Sequence, residues 1–192
     1  MKHSFYGGVH PNDRKAGSCQ EPIRPLSTPP AEVVIPMAMH VGAPCKPVVQ
    51  VGDQVCVGQK IGEIAGLGSP IHASVSGKVI AVEPRPYVGG GKVVSVVIEN
   101  DGQDTFQSDL TPHPDYEKLT ADELVDIIKE AGITGMGGAG FPTHVKISSG
   151  IGKVDTLILN GAECEPYITA DHRLMLEQGE RVIGGARILM QA

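Results

Sequence analysis

Val51-Gly52-Asp53-Gln54-Val55-Cys56-Val57-Gly58-Gln59-Lys60-Ile61, continued by Ala73-Ser74-Val75-Ser76-Gly77-Lys78-Val79, is the stretch that decides the fold. Gly52-Asp53 and Gly58-Gln59 are tight-turn pairs between short runs, and Ser76-Gly77 supplies the positive φ that a return hairpin needs. Outward from this centre the same texture continues in Val33-Val34-Ile35, Pro47-Val48-Val49, Ile71 to Val75, Lys78 to Val82 and Val93 to Ile98. Short Val- and Ile-rich runs separated by Gly-Asp, Gly-Gln and Ser-Gly turns predict an all-β unit over residues 33–100. Val94, Val96 and Ile98 alternate with Ser95 and Val97, which predicts a half-buried strand.

Upstream, residues 1–32 carry Pro11, Pro22, Pro25, Pro29 and Pro30 with little apolar periodicity, so they read as an extended arm. Downstream, residues 101–118 form an acidic, proline-bearing linker. Thr120-Ala121-Asp122-Glu123 then spells a capping box, and Leu124, Ile127, Ile128 and Ala131 fall on one helical face until Gly132 stops it. A glycine-rich loop follows at Gly135 to Gly140. Asp155-Thr156-Leu157-Ile158-Leu159-Asn160 reads as a strand of the kind buried in a parallel sheet, and Thr169 to Gln178 and Glu180 to Ala192 read as helices. The chain thus turns from β to α/β near residue 118, with an α/β domain beginning in residues 119–192. One strand without a second to pair with does not make a finished layer, which predicts that the chain is part of a longer protein.

Composition narrows the function. Gly and Pro supply 25 and 15 of the 192 residues, while Trp is absent and Phe plus Tyr come to 3 and 4. A core this poor in rings is built from Val, Ile, Leu and Met. The net charge of −6 argues against a nucleic-acid partner, which needs a basic face. No run reaches the 18 or so apolar residues of a membrane helix, and the N-terminus lacks the apolar core of a secretion signal, so a cytoplasmic location is expected. Cys19, Cys45, Cys56 and Cys164 have no C-x-x-C spacing and read as reduced thiols. The seven scattered histidines show no ligand spacing, so no metal site is expected.

Two segments carry chemistry. In Gly135-Met136-Gly137-Gly138-Ala139-Gly140-Phe141-Pro142-Thr143, four glycines in six positions remove side chains so that backbone N–H groups can approach an anion or a flat ring. Lys146, three residues on, can meet a phosphate as a point charge. In Asn160-Gly161-Ala162-Glu163-Cys164-Glu165-Pro166, an amide and two carboxylates follow the predicted strand at the edge where ligands sit in open α/β sheets. The candidate cofactor-binding residues are therefore Gly135, Gly137, Gly138, Gly140, Lys146, Asn160, Glu163 and Glu165. No side-chain nucleophile is expected.

The turn-rich segment around Val51 to Ile61 and Ala73 to Val79 resembles the barrel-sandwich hybrid domains that include biotinyl and lipoyl carriers. The carrier lysine is missing, because the tip reads Glu63-Ile64-Ala65-Gly66-Leu67-Gly68-Ser69-Pro70. The glycine loop with Asn160 to Pro166 is similar to the NADH/FMN-binding flavoprotein subunit of respiratory complex I. Phe5-Tyr6-Gly7-Gly8-Val9-His10-Pro11, Gly42-Ala43-Pro44 and Ala170-Asp171-His172-Arg173-Leu174-Met175 narrow the likeness to the RnfC subunits of Rnf electron-transport complexes, over essentially the whole chain. The chain departs from the complex I pattern at Met136, His144 and Ala162, where that family has Arg, Gly and Asp.

The resemblance implies a barrel-sandwich domain followed by the first part of a Rossmann-like NADH/FMN-binding domain. It implies an oxidoreductase subunit on the cytoplasmic side of a membrane, peripheral, within a complex coupled to Na⁺ or H⁺ transport. FMN and NAD(H) are the implied cofactors. [4Fe–4S] clusters bound beyond residue 192 and ferredoxin as an indirect partner are implied with them. A related soluble electron-transfer protein, such as a cobalamin reductase or an amino-acid reductase partner, has the same front half. A sandwich used only as a carrier or docking module is the non-enzymatic alternative.

Overall fold

The computed structural model describes residues 11–110, 112–136 and 138–192. Phe5 to His10 of the opening motif, His3, and Gly137 of the glycine loop lie outside the described residues. The chain forms two compact units, one of residues 27–155 with Gln191–Ala192 and one of residues 11–26 with Thr156–Met190.

The first unit holds seven antiparallel strands: β1 (Glu32–Pro36), β2 (Lys46–Pro47), β3 (Gln54–Val55), β4 (Lys60–Glu63), β5 (Ile71–His72), β6 (Gly77–Pro86) and β7 (Lys92–Asn100). They make a four-stranded sheet in the order β1-β7-β6-β3 and a three-stranded sheet in the order β2-β4-β5. The two turns at the centre are built alike. At the first, Gly52 takes φ 103° and the Asp53 carboxylate accepts the Gln50 N–H at 2.9 Å. At the second, Gly58 takes φ 82° and the Gln59 amide oxygen accepts the Cys56 N–H at 3.0 Å. In each, a glycine relieves the backbone and the next side chain closes the turn.

Between the sheets lies one aliphatic core of Ile35, Met37, Cys45, Val55, Ile61, Ile71, Ala73, Val79, Val96 and Ile98. Val33 pairs with Ile98 and Ile35 with Val96 across β1 and β7, so the inward residues meet in register. The structure corrects the half-buried reading of β7. Ser95 and Val97 are fully buried as well as Val96 and Ile98, so the middle of this strand is covered on both faces. The β6–β7 hairpin also runs longer than its apolar pattern, to Pro86 opposite Lys92, past Pro84 and Pro86. The acidic segment after β7 is tied down. Val57 donates its N–H to Thr105 at 2.8 Å and accepts that of Gln107 at 3.0 Å.

Helix α1 (Ala121–Glu130) starts as its capping box requires. The Thr120 hydroxyl accepts the Glu123 N–H at 3.3 Å and the Glu123 carboxylate accepts the Thr120 N–H at 2.8 Å. It ends in a Schellman motif, with Gly132 at φ 70°, its N–H donated to Lys129 at 2.9 Å and that of Ile133 to Ile128 at 3.3 Å. Leu124, Val125 and Ile128 are its buried face. Thr120→Ala is expected to cost about 1 kcal/mol in urea unfolding, because it strands a first-turn donor. An unchanged unfolding midpoint would show the box to be idle.

The end of α1 docks on the sandwich. Lys60 on β4 pairs with Glu130 at 2.6 Å, and Gly132 sits against the Pro70 carbonyl and the His72 ring. Burial pushes the His72 pKa down, and the Lys60 ammonium adds to it. The His144 pKa is lowered in the same way, by burial and then by Lys129. A histidine with a depressed folded pKa is protonated more readily in the unfolded chain, so stability rises with pH through that window. Acidification below the ordinary histidine value of about 6.5 is expected to destabilise the unit, and His72→Gln to weaken that dependence. A pH series of thermal midpoints reads both. Equal slopes in wild type and variant would remove His72 as a source.

The remaining helices are α2 (Thr143–Gly150), α3 (Ala170–Glu177) and α4 (Gly179–Gln191). The two C-terminal helices match their sequence reading to within a residue or two at each end. The strand expected at Asp155 to Asn160 is absent: residues 151–160 are exposed and carry no strand pairing. A strand exists only against a neighbour that takes its backbone hydrogen bonds, and none of the described strands lies beside this run. No described helix is long and apolar enough to cross a membrane.

Candidate functional site

In the unit of residues 27–155 the candidate residues converge on the loop between α1 and α2. Thr134 and Pro142 form an antiparallel bridge that closes the loop, with the Gly135 N–H donated to Phe141 at 2.8 Å and the Thr143 N–H to Ile133 at 3.0 Å. Gly140 is buried at φ 63° and its carbonyl accepts the Val41 N–H at 3.3 Å, so the loop is anchored on the sandwich segment Met39 to Val41. Gly138 is exposed, and a Cβ there would meet nothing.

Lys146 stands in the first turn of α2, whose N-cap Pro142 offers no side-chain acceptor. Its ammonium lies 2.8 Å from where a Gly135 Cβ would be and 5.8 Å from the centre of the Phe141 ring. A cation is thus held against bare backbone, next to the positive end of a helix dipole. Anions gather in such a place, and a phosphate fits it. The space above Gly135 exists because the residue has no side chain.

In the other unit, Asn160, Glu163 and Glu165 share one loop before α3. The Asn160 amide oxygen accepts the Ala162 N–H at 3.0 Å, closing a local turn. One Glu163 carboxylate oxygen accepts the Asp171 N–H at 3.0 Å in the first turn of α3. The other is buried without a protein partner. Glu165 is exposed. The N-terminal segment reaches this loop: the Lys15 ammonium donates to the Glu163 carbonyl, the Asp13 carbonyl accepts the Tyr167 N–H at 2.7 Å, and Arg173 donates to the Cys19 carbonyl at 3.0 Å. The Ile23 N–H meets Glu177 at 3.0 Å. That N–H and the Arg173 guanidinium hold the Glu177 carboxyl below its ordinary range.

Gly135, Gly138, Gly140 and Lys146 therefore belong to one unit, and Asn160, Glu163 and Glu165 to the other. Phe141, Lys15 and Tyr167 are residues of these loops that sequence reasoning does not single out. Phe141 carries a signal, since it is the ring next to the glycine run. Lys15 carries none, because its contact lies 148 residues away.

The tip from Glu63 to Pro70 has no lysine, and its end is packed. Gly68, Ser69 and Pro70 are buried, and a His40 ring nitrogen lies 2.8 Å from the Ser69 carbonyl oxygen. Nearby Cys45 is buried, and burial first, then Glu63, pushes its thiol up, which keeps it protonated. Packing of this kind does not suit a swinging prosthetic arm.

The family model of the RnfC barrel sandwich hybrid domain matches residues 3–103, and that of the Nuo51 FMN-binding domain matches residues 128–192. A sandwich followed by the beginning of an α/β cofactor domain is thus the fold class of the chain. The RnfC subunit of the Na⁺-translocating ferredoxin:NAD⁺ oxidoreductase complex of Acetobacterium woodii is 50% identical over 195 residues, covering 100% of this chain and 44% of that subunit. The corresponding subunit of the proton-translocating ferredoxin:NAD⁺ oxidoreductase complex of Clostridium ljungdahlii is 47% identical, with 100% of the chain and 42% of the relative covered. That of the ion-translocating oxidoreductase complex of Serratia proteamaculans is 44% identical over 96% of the chain and 26% of the relative. The chain spans less than half the length of the curated relatives it matches.

Proposed function

The chain belongs to the RnfC family, and from that premise we propose that it is the N-terminal portion of an electron-transfer subunit. It serves an ion-translocating ferredoxin:NAD⁺ oxidoreductase complex, joining NAD(H), FMN and iron–sulfur clusters. The observation that carries this reading is the Lys146 ammonium held against the side-chain-free backbone of Gly135, at the start of α2. The match of residues 128–192 to an FMN-binding domain supports it.

In this reading Lys146 takes the FMN phosphate as a point charge. Gly135, Gly137, Gly138 and Gly140 give the backbone the clearance to approach the phosphate and the ring side. Asn160, Glu163 and Glu165 offer acceptors to the hydroxyl and amide groups of flavin or nicotinamide. Bound FMN supplies the exchange between hydride and single electrons, and the protein supplies position and field. Met136, His144 and Ala162 replace a cation, a glycine and a carboxylate of the complex I pattern, so the charge around the cofactor is this family's own. The subunit sits peripherally on the cytoplasmic side of the membrane among the other subunits of the complex, with ferredoxin an indirect partner. The [4Fe–4S] ligands lie outside residues 1–192, since Cys19, Cys45, Cys56 and Cys164 have no cluster spacing.

Titrating the intact polypeptide with FMN and with riboflavin tests the phosphate role. Lys146→Met is expected to weaken FMN about tenfold or more, the worth of one charged hydrogen bond. Riboflavin, which lacks the phosphate, is expected to bind the variant as it binds wild type. Equal FMN affinity in both proteins would overturn the assignment. A flavin-loaded protein that NADH does not bleach would overturn the nicotinamide part.

A further inference from the structure

Tyr167 holds a backbone conformation that its side chain disfavours. Its φ of 68° lies in the left-handed region, which glycine and asparagine enter readily and a bulky aromatic rarely does. The peptide is held there from both sides. Its N–H is donated to the Asp13 carbonyl at 2.7 Å, and its carbonyl accepts the Ser18 hydroxyl at 2.9 Å. Strained residues persist where surrounding contacts over-determine them, and here a segment about 150 residues away in sequence does so.

Core packing does not explain the tyrosine. The residue is 60% exposed, in a chain with 4 Tyr, 3 Phe and no Trp. Glycine at this position would satisfy the same two backbone hydrogen bonds without strain. The ring also stands in a particular setting. It follows Glu165-Pro166 directly, on the loop where a Glu163 carboxylate oxygen is buried without a protein partner. A flat aromatic face next to carboxylate acceptors is the composition that binds a planar heterocycle bearing N–H or amide donors.

We propose that Tyr167 is a ring contact for the planar heterocycle of the redox cofactor, flavin or nicotinamide, and that Asp13 and Ser18 aim it through its backbone. This rests on the cofactor reading above and adds a residue to it. The N-terminal segment becomes part of the binding apparatus, although it touches no ligand. Tyr167 is then a specificity-determining residue, and Ser18 a positioning one.

The test uses Tyr167→Gly and Tyr167→Asn, which both tolerate the backbone, and Tyr167→Phe, which keeps the ring. Thermal midpoints and separate titrations of FMN and NADH are measured on the intact polypeptide. Tyr167→Gly and Tyr167→Asn are expected to match or exceed the wild-type midpoint, yet to bind FMN or NADH about tenfold more weakly, the worth of one good ring contact. Tyr167→Phe is expected to stay within about twofold of wild type, and the ligand that weakens identifies the ring that is stacked. Affinities unchanged in Gly and Asn variants would overturn the contact and leave the cofactor reading standing. Lower midpoints in both variants, accompanying lost binding, would show that the ring serves the fold and would overturn the contact. A wild-type protein that binds neither FMN nor NADH would overturn both readings.

Discussion

Gly77→Ala is expected to destabilise the unit of residues 27–155 by roughly 3 kcal/mol, a large part of the stability of an ordinary domain. Gly77 opens β6 at φ 148°, and a Cβ there would lie 1.9 Å from the Glu99 carbonyl oxygen on β7. That oxygen belongs to backbone, so no side-chain rotation clears the clash. The strand must part from its neighbour at the end of the hairpin, where Gly77 faces Asn100. Loss there spreads to Ser76, whose hydroxyl bridges the Asp101 carboxylate at 2.6 Å and the Thr105 N–H at 3.0 Å. Urea unfolding measures the effect. A loss below about 1 kcal/mol, the ordinary size of a surface change, would mean that the hairpin end is not fixed in this way.

Gly140→Val is expected to cost about 3 kcal/mol as well, and to reduce FMN affinity together with stability. The position is buried at φ 63°, where a β-branched residue is a strong outlier. Its Cβ would come within 2.9 Å of the Met39 carbonyl oxygen and 3.1 Å of the His40 Cα. Relief requires the glycine loop to lift from the sandwich, which breaks the Val41 to Gly140 hydrogen bond. Lys146 then loses the loop backbone it faces. The stability loss is read by thermal melting and the affinity loss by flavin titration. Affinity preserved at a lowered midpoint would mean that the loop binds without its anchor.

What the sequence reveals about the fold is local. Gly52-Asp53, Gly58-Gln59, the Thr120 box and the Gly132 stop can be read because each is decided within four or five residues. The two-residue strands β2, β3 and β5 cannot, since they exist only through pairing with partners elsewhere in the chain. The burial of Ser95 and Val97 escapes the pattern for a related reason. Alternation says which residues share a face, and not whether the other face is covered. The run Leu157-Ile158-Leu159 is the opposite case, apolar enough for a buried strand and yet exposed at 42%, 82% and 53%. Helix α2 has no clear signal, because Thr-His-Val-Lys-Ile-Ser-Ser-Gly is β-branched and small, with little helical preference.

The candidate site is legible to the same extent. The glycine loop and Lys146 are close in sequence, and the structure brings the ammonium onto Gly135. Asn160 and Glu163 read as ligand contacts, and the structure shows that both also hold local backbone. The left-handed conformation of Tyr167 has no sequence signature, because tyrosine is not a residue that announces it.

The hydrogen bonds from residues 13–23 to residues 163–177 also set an order of events during synthesis. Their partners are separated by about 150 residues, and closing so long a loop carries a large entropy cost that local contacts must first offset. The strands of residues 32–100 and helix α1 meet partners made earlier on the ribosome, so they can settle while the N-terminal segment is still unclaimed. Lys15, Ser18 and Ile23 wait for residues about 150 positions later to emerge. A nascent chain halted before residue 163 is therefore expected to show a protease-resistant sandwich and an N-terminal segment that is cut readily, and the cut is expected to disappear once α3 has left the exit tunnel.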